Sequence, residues 1–234
     1  MTNRDVRVLT CPQCGATVKI SASKCEYCQA EFIVTSLASL DKFDKAGTNK
    51  YVNHYKQLLK DNPDNGELNC AMGICYLDLG LYDLAIKYFA KAVEEMPDNA
   101  DSYYYYALAL LKGKRPKILT LAEIREIEEY LNAAIKIDDT KSKYYYLWAL
   151  IKYDFYKCNG LAMKAPTFEE LLGEAKNRPY DDTEIKNMLT RIQIGDRDLL
   201  NLVTNREVGI LTCPQCGAPV EGSDGKCKYC QGAM

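Results

Sequence analysis

GELNCAMGICYLDLGLYDLAIKYFAKAVEEMPDN, residues 66–99, is the stretch from which the rest of the chain can be read. It holds two apolar-rich runs with Gly80 between them. Gly73 and Ala85 are small, as two closely crossing helices require. Phe89 fills the gap beside them, and Pro97 cannot continue a helix. The closing tripeptide PDN at 97–99 also stands at 63–65, a period of 34 residues. A fixed period of that length marks a stack of helix pairs.

The same pattern extends outward in weaker form. Upstream, KYVNHYKQLLKDNP carries Tyr51, Tyr55, Leu58 and Pro63 at second-helix positions. SLASLDKFDKA, with Leu37, Leu40 and Phe43 on one face, is expected to be its first helix. Downstream, SYYYYALALLKGK places Tyr103, Tyr106, Ala107 and Leu110 at packing positions, and AEIREIEEYLNAAIKID answers with Ile127, Leu131 and Ala134. About eight extra residues near KRPKILT separate them. A further pair, SKYYYLWALIKYDFYK and TFEELLGEAKNR, fits the period poorly but keeps helical spacing. TEIKNMLTRIQI sets Ile185, Met188, Leu189 and Ile192 on one stripe. Gly195 interrupts it, Asp196 can cap, and RDLLNLV resumes.

With Met72, Gly73, Tyr76, Gly80, Tyr82, Ala85, Phe89, Ala92 and Pro97 in these places, 66–99 strongly resembles a tetratricopeptide repeat (TPR). The resemblance implies a right-handed solenoid over 35–204 with one or two closing helices. It also implies an inner face built from the first helices. Mapped here, that face holds Cys70, Ile74, Leu77, Tyr104, Leu108, Leu111, Tyr146, Leu150 and Tyr153. It is apolar and aromatic, and lacks the Lys and Asn set with which some family members clamp a C-terminal carboxylate. An amphipathic helix or an extended apolar peptide suits it. The chain's own helix at 183–203 suits it equally.

The two ends repeat each other. VRVLTCPQCGATVKISASKCEYCQAEF and VGILTCPQCGAPVEGSDGKCKYCQGAM align without a gap at an offset of 202. Each has the spacing C-x2-C-x10-C-x2-C: Cys11, Cys14, Cys25 and Cys28, then Cys213, Cys216, Cys227 and Cys230. Two short turns bring two sulfurs each to one point, and four thiolates close a tetrahedral Zn²⁺ site. Gly15 and Gly217 follow the second cysteine, where a positive φ suits glycine. Val18 and Val220 read as the short strand after the turn. Both ends resemble zinc ribbons, and their pairing is similar to double-zinc-ribbon proteins. The C-P-x-C-G knuckle also resembles rubredoxin, but Gln29 and Gln231 replace its second glycine and the loop is shorter. The expected architecture is mainly α: a TPR-like solenoid at 35–204 between small β zinc ribbons at 5–34 and 206–234, with two Zn²⁺ per chain. A module this small needs its metal to fold. In the second copy Met234 aligns with Phe32 and nothing matches Ile33, so it is expected to be the less stable one.

Eight of the eleven cysteines fall in these pairs, and no secretory pattern opens the chain, so metal ligation in a cytoplasmic setting is expected over disulfides. Cys70, Cys75 and Cys158 read as small core residues. No run is long enough to span a bilayer. The net charge of −2 moves to about −6 when two four-thiolate zinc sites are counted, which argues against a phosphate backbone as ligand. Arg4, Arg7, Lys19, Lys24, Lys226 and Lys228 lend the ribbons some positive charge, which offsets the thiolates.

No catalytic constellation is present. His54 is the single histidine and reads as an exposed helical residue, without a nucleophile motif to serve. The Gly113–Lys114 pair lacks the rest of a phosphate loop. Asp138–Asp139 and Asp181–Asp182 fall at helix boundaries. The expectation is a non-enzymatic interaction scaffold for a protein or peptide partner. Nucleic-acid binding by the ribbons is the alternative, and a thiol–zinc redox switch ranks last. The near identity of the ribbons implies a shared task, with self-association through them as one form of it.

Overall fold

A computed structural model describes residues 8–19, 23–194, 197–204, 211–212 and 219–220. The chain divides into two compact units, 1–195 and 196–234. In the first, strands β1 (Val8–Thr10) and β2 (Thr17–Lys19) pair antiparallel. Among the described residues, eight α-helices follow: α1 (Lys45–Asp61), α2 (Gly66–Asp78), α3 (Tyr82–Glu95), α4 (Ala100–Leu110), α5 (Leu121–Ile137), α6 (Ser142–Ile151), α7 (Phe168–Lys176) and α8 (Asp182–Ile192). The second unit holds α9 (Arg197–Thr204) and the pair β3 (Leu211–Thr212) with β4 (Pro219–Val220). Gly195, Asp196, Cys213, Cys216, Cys227 and Cys230 lie outside the described residues.

The 34-residue period has a local cause at each boundary. Asn65 and Asn99, the last residues of the two PDN triplets, are the N-caps of α2 and α4. Their side chains accept from the N–H of Leu68 at 2.9 Å and of Ser102 at 3.1 Å. Proline thus ends one helix and asparagine starts the next. Between α2 and α3, Gly80 takes φ +73°, and the Leu81 N–H returns to the Tyr76 carbonyl. That closing turn suits glycine because it has no Cβ to clash.

α2 and α3 pack as the small residues require. A Cβ built on Gly73 would lie 2.6 Å from the Phe89 ring. Ala85, Phe89 and Ala92 are buried beside it. The pairs α4–α5 and α6–α7 continue the arrangement. Tyr103 and Tyr106 of α4 meet Tyr130 of α5, with centroids 6.3 and 4.3 Å apart. Glu128 of α5 accepts from Trp148 Nε1 and the Tyr156 hydroxyl, both at 3.1 Å, and pairs with Lys152 at 2.9 Å.

Two expected helices differ. SLASLDKFDKA forms only a 3₁₀ turn at Leu37–Leu40. Asp44 is the reason: it caps α1 by accepting from the Gly47 N–H, and its ψ of 177° is extended. A helix cannot run through an extended residue. Leu37 and Leu40 are buried all the same. SKYYYLWALIKYDFYK starts as α6 and widens into a π-helical stretch at Lys152–Lys157. There Asp154 is fully buried and pairs with Arg115 at 2.6 Å, while accepting from the Lys117 N–H at 2.9 Å. The eight extra residues are pinned by this carboxylate, and π-helical turns gather where a side chain must be so placed.

Gly73→Ala is expected to cost about 1–3 kcal/mol in urea unfolding, because Phe89 must shift. Asp154→Ala is expected to cost about 3 kcal/mol, because Arg115 and the Lys117 N–H lose a buried partner. A cost below about 0.5 kcal/mol in either variant would contradict the packing described.

Candidate functional site

Two features of the first unit hold the candidate site residues singled out from the sequence. The cysteine cluster comes first in the chain. Cys11 N–H donates to the Ala16 carbonyl and Gly15 N–H to the Cys11 carbonyl. Cys25 and Gln29 repeat the pattern, with Ala30 in place of Ala16. Both turns end at positive φ, Gly15 at 74° and Gln29 at 58°. The second turn therefore keeps the geometry without the glycine. The four sulfurs converge, with their ligand atoms all within 4.8 Å of one another. Cys11 and Cys28 sulfurs are 3.6 Å apart, and those of Cys14 and Cys25 3.7 Å. A disulfide needs about 2.05 Å. A tetrahedral ion about 2.3 Å from each sulfur would space them by about 3.8 Å. The donor set fits a metal ion, and all four coordination positions would be filled by protein. Burial pushes the Cys28 thiol up to about 12. At Cys25 the N–H groups of Cys28 and Tyr27 outweigh burial and leave it near 7.

This module sits against α1. Gln13 Nε2 donates to the Gly47 carbonyl at 2.8 Å, and Lys50 Nζ to the Gln13 carbonyl at 3.0 Å. The buried Tyr51 and Tyr55 donate to the carbonyls of Glu31 and Phe32 at 2.8 and 3.0 Å. Tyr55 also accepts from the Val34 N–H at 2.9 Å. Phe32 packs with Cys11, Cys25 and Ala30. The module and the 37–40 turn thus stand where a first helix for α1 was expected.

The second feature is the face carried by α2, α4 and α6. Of its nine expected residues, Cys70, Ile74, Leu77, Tyr104, Leu108, Leu111, Tyr146 and Leu150 are buried, and Tyr153 is half-buried. α8 lies along these helices. Glu184 pairs with Lys143 of α6 at 3.0 Å and accepts from the Tyr105 hydroxyl of α4 at 3.2 Å. Arg191 pairs with Asp78 at the end of α2 at 3.1 Å, and Asn187 donates to Asp41 at 3.0 Å. Ile185, Met188 and Ile192 are buried, while Leu189 is half-buried.

Lys143 is the electrostatic centre of this face. It is 8% exposed, pairs also with Asp101 at 2.8 Å, and lies over the rings of Tyr104, Tyr105 and Tyr144. Burial alone would lower its ammonium, but Asp101 and Glu184 outweigh that and hold it above its ordinary value. Burial raises the Tyr104, Tyr105 and Tyr144 hydroxyls well above theirs, and the nearby carboxylates add to it.

His54 is not the exposed residue expected. It is half-buried, and burial lowers its imidazole. It lines a cleft of about 660 Å³ with Phe32, Val34, Leu58, Leu68, Cys70 and Met96, rimmed by Glu67 and Asp101. The cause is the chain at 32–35, which returns across α1. Periodicity along α1 cannot show a neighbour brought from elsewhere. Lys143 was legible in principle: a lysine directly before the apolar run YYYLWALI, inside the same helix, must find a buried partner.

Residues 37–111 match the family model described as a tetratricopeptide repeat. No match was found among curated proteins. Solved chains similar to this one include two that are named for MamA. "MamA MSR-1 C2" is 18% identical, with a TM-score of 0.46, covering 60% of this chain and 74% of that one. "Crystal structure of MamA" is 21% identical, with a TM-score of 0.45, covering 73% and 82%. No helix among the described residues is long and apolar enough to cross a membrane.

The buried tyrosines fix the sign of an alkaline effect. Unfolded tyrosine loses its proton near pH 10, and the folded hydroxyls do not. Stability is therefore full below about pH 10 and falls above it. Melting followed by circular dichroism should show a lower midpoint at pH 11 than at pH 8. Equal midpoints would contradict the burial of these hydroxyls.

Proposed function

We propose that the chain is a non-enzymatic protein–protein interaction scaffold with four-cysteine structural zinc at both ends. In this reading a zinc ribbon occupies 5–34, a TPR-like domain 35–204, and a second ribbon 206–234. The observation that carries it is the α2–α4–α6 face, which is apolar, aromatic and helix-binding in kind, since a helix already lies on it. Repeat matches over 37–111 support the same class, because TPR proteins are generally scaffolds rather than enzymes. The convergence of the Cys11, Cys14, Cys25 and Cys28 sulfurs supports a closed metal site. Zinc bound there leaves no position for water or substrate, so its work is structural. The equal spacing in Cys213, Cys216, Cys227 and Cys230 supports a second ion. Self-association through the ribbons belongs to this reading.

The partner is a protein or peptide that meets the face lined by Cys70, Ile74, Leu77, Tyr104, Leu108, Leu111, Tyr146, Leu150 and Tyr153. Photo-crosslinkers at Tyr104 and Tyr153, in cells that express the chain, test this directly. One recurrent crosslinked polypeptide is expected, and absence of any would reject the scaffold. Nucleic acid is the alternative ligand. A mobility shift that persists at moderate salt would favour it, since loss on adding salt leaves only nonspecific attraction.

Metal analysis is expected to find two zinc ions per chain, and one after Cys25→Ser. Because the first module is bonded to α1 through Tyr51 and Tyr55, that variant should also lower the melting midpoint of the helices by roughly 5–10 °C. An unchanged midpoint with the zinc lost would show that the module contributes nothing to the stack.

A further inference from the structure

α8 does not sit on the helical face by apolar contact alone. Its buried stripe, Ile185, Met188 and Ile192, is bracketed by charges of opposite sign. At the N-terminal end Glu184 meets Lys143 and Tyr105, and at the other end Arg191 meets Asp78. The carboxylate lies over α4 and α6, and the guanidinium over the end of α2. These pairs set a direction: a helix on this face points its N-terminus at α6 and its C-terminus at α2.

The seat also needs an occupant. Without α8, Lys143 keeps Asp101 and its three tyrosine rings, and the Tyr105 hydroxyl loses the Glu184 carboxylate. The apolar sides of α4 and α6 beneath it would then meet water, which is costly. α8 itself is not built to persist alone. It has 11 residues and ends at Gln193 in the left-handed region, with Asp182, Thr183, Lys186 and Thr190 exposed. A helix that short is marginal in water without its seat. It stays because the face holds it.

We infer that α8 is an intramolecular occupant of a partner site, and that the partner is a separate amphipathic helix with the α8 order of charges. That order is a carboxylate, an apolar residue directly after it, apolar residues three and seven positions beyond that, and a basic residue just before the last. This rests on reading the chain as an interaction scaffold and names the class of helix that the scaffold takes. α8 competes with the partner, so binding requires exchange. Specificity comes from the two ends of the stripe: a reversed charge order would set a carboxylate against Asp78 and a cation against Lys143.

The test uses the full chain and a labelled peptide with the sequence of 181–194. In Met188→Asp, a charge enters the buried stripe and α8 is expelled. Peptide affinity for this variant should exceed that for the wild-type chain at least tenfold, with one peptide per chain. A peptide carrying Glu184→Lys and Arg191→Glu should lose at least tenfold. Equal or absent binding by a Met188→Asp chain that keeps the wild-type helix content apart from α8 would overturn the inference. Should that variant fail to fold, a protease site inserted between Tyr180 and Asp181 serves instead. After cleavage the labelled peptide should exchange into the wild-type face, and no exchange at a hundredfold excess would overturn the inference. Wild-type dimers that the peptide dissociates would give the site to α8 of a second copy and overturn the separate partner. If exchange fails while Tyr104 still crosslinks one polypeptide, the scaffold stands and the exchange falls. If both fail, both fall.

Discussion

The helices α2, α4 and α6 have no polar face, and the rest of the first unit follows from the need to cover them. In α2, the eleven buried residues are Gly66 and all of Leu68–Leu77. In α6 all ten positions are buried, Lys143 included. A helix that is apolar around its whole circumference must be covered on every side. α3, α5 and α7 cover one side. The other side falls to whatever the chain can bring, and it brings α8.

Covering an aromatic helix with a short amphipathic one creates an electrostatic problem. Lys143 stands among Tyr104, Tyr105 and Tyr144 with little access to water. Two carboxylates from different helices, Asp101 and Glu184, answer it. A buried pair of this kind adds less to stability than to choice, since an apolar substitute could pack as well. Here it fixes which way α8 runs across α4 and α6.

The N-terminal module solves the matching problem at the start of the stack. A solenoid end lacks a neighbour and needs an atypical cap. α1 presents Tyr51 and Tyr55, whose hydroxyls take the Glu31 and Phe32 carbonyls after the second cysteine pair. The segment after the second cysteine pair and α1 are therefore joined by hydrogen bonds. Phe32 belongs to the cysteine core, and Val34, two residues on, is hydrogen-bonded to α1. The cysteine core and α1 are thus linked through three residues of backbone, 32–34.

Most of this was determined by local chemistry and could be read without a structure. Small residues at Gly73 and Ala85, proline at 97, and the paired cysteine spacings each act within a few residues, so the sequence alone determined the helix pair α2–α3 and the convergence of the first four cysteines. It also determined that TEIKNMLTRIQI is a helix with one apolar stripe. What it left open was where that stripe goes, and a partner or the chain itself served equally well. Only the tertiary structure decided that α8 covers its own α2–α4–α6 face, because Glu184 and Lys143 are 41 residues apart and Arg191 and Asp78 are 113 apart. The same is true of the turn at Leu37–Leu40 in place of a helix, and of His54 in a cleft. Periodicity reports which side of an element is apolar. It cannot report what arrives to cover that side, since that depends on contacts between residues the period never links.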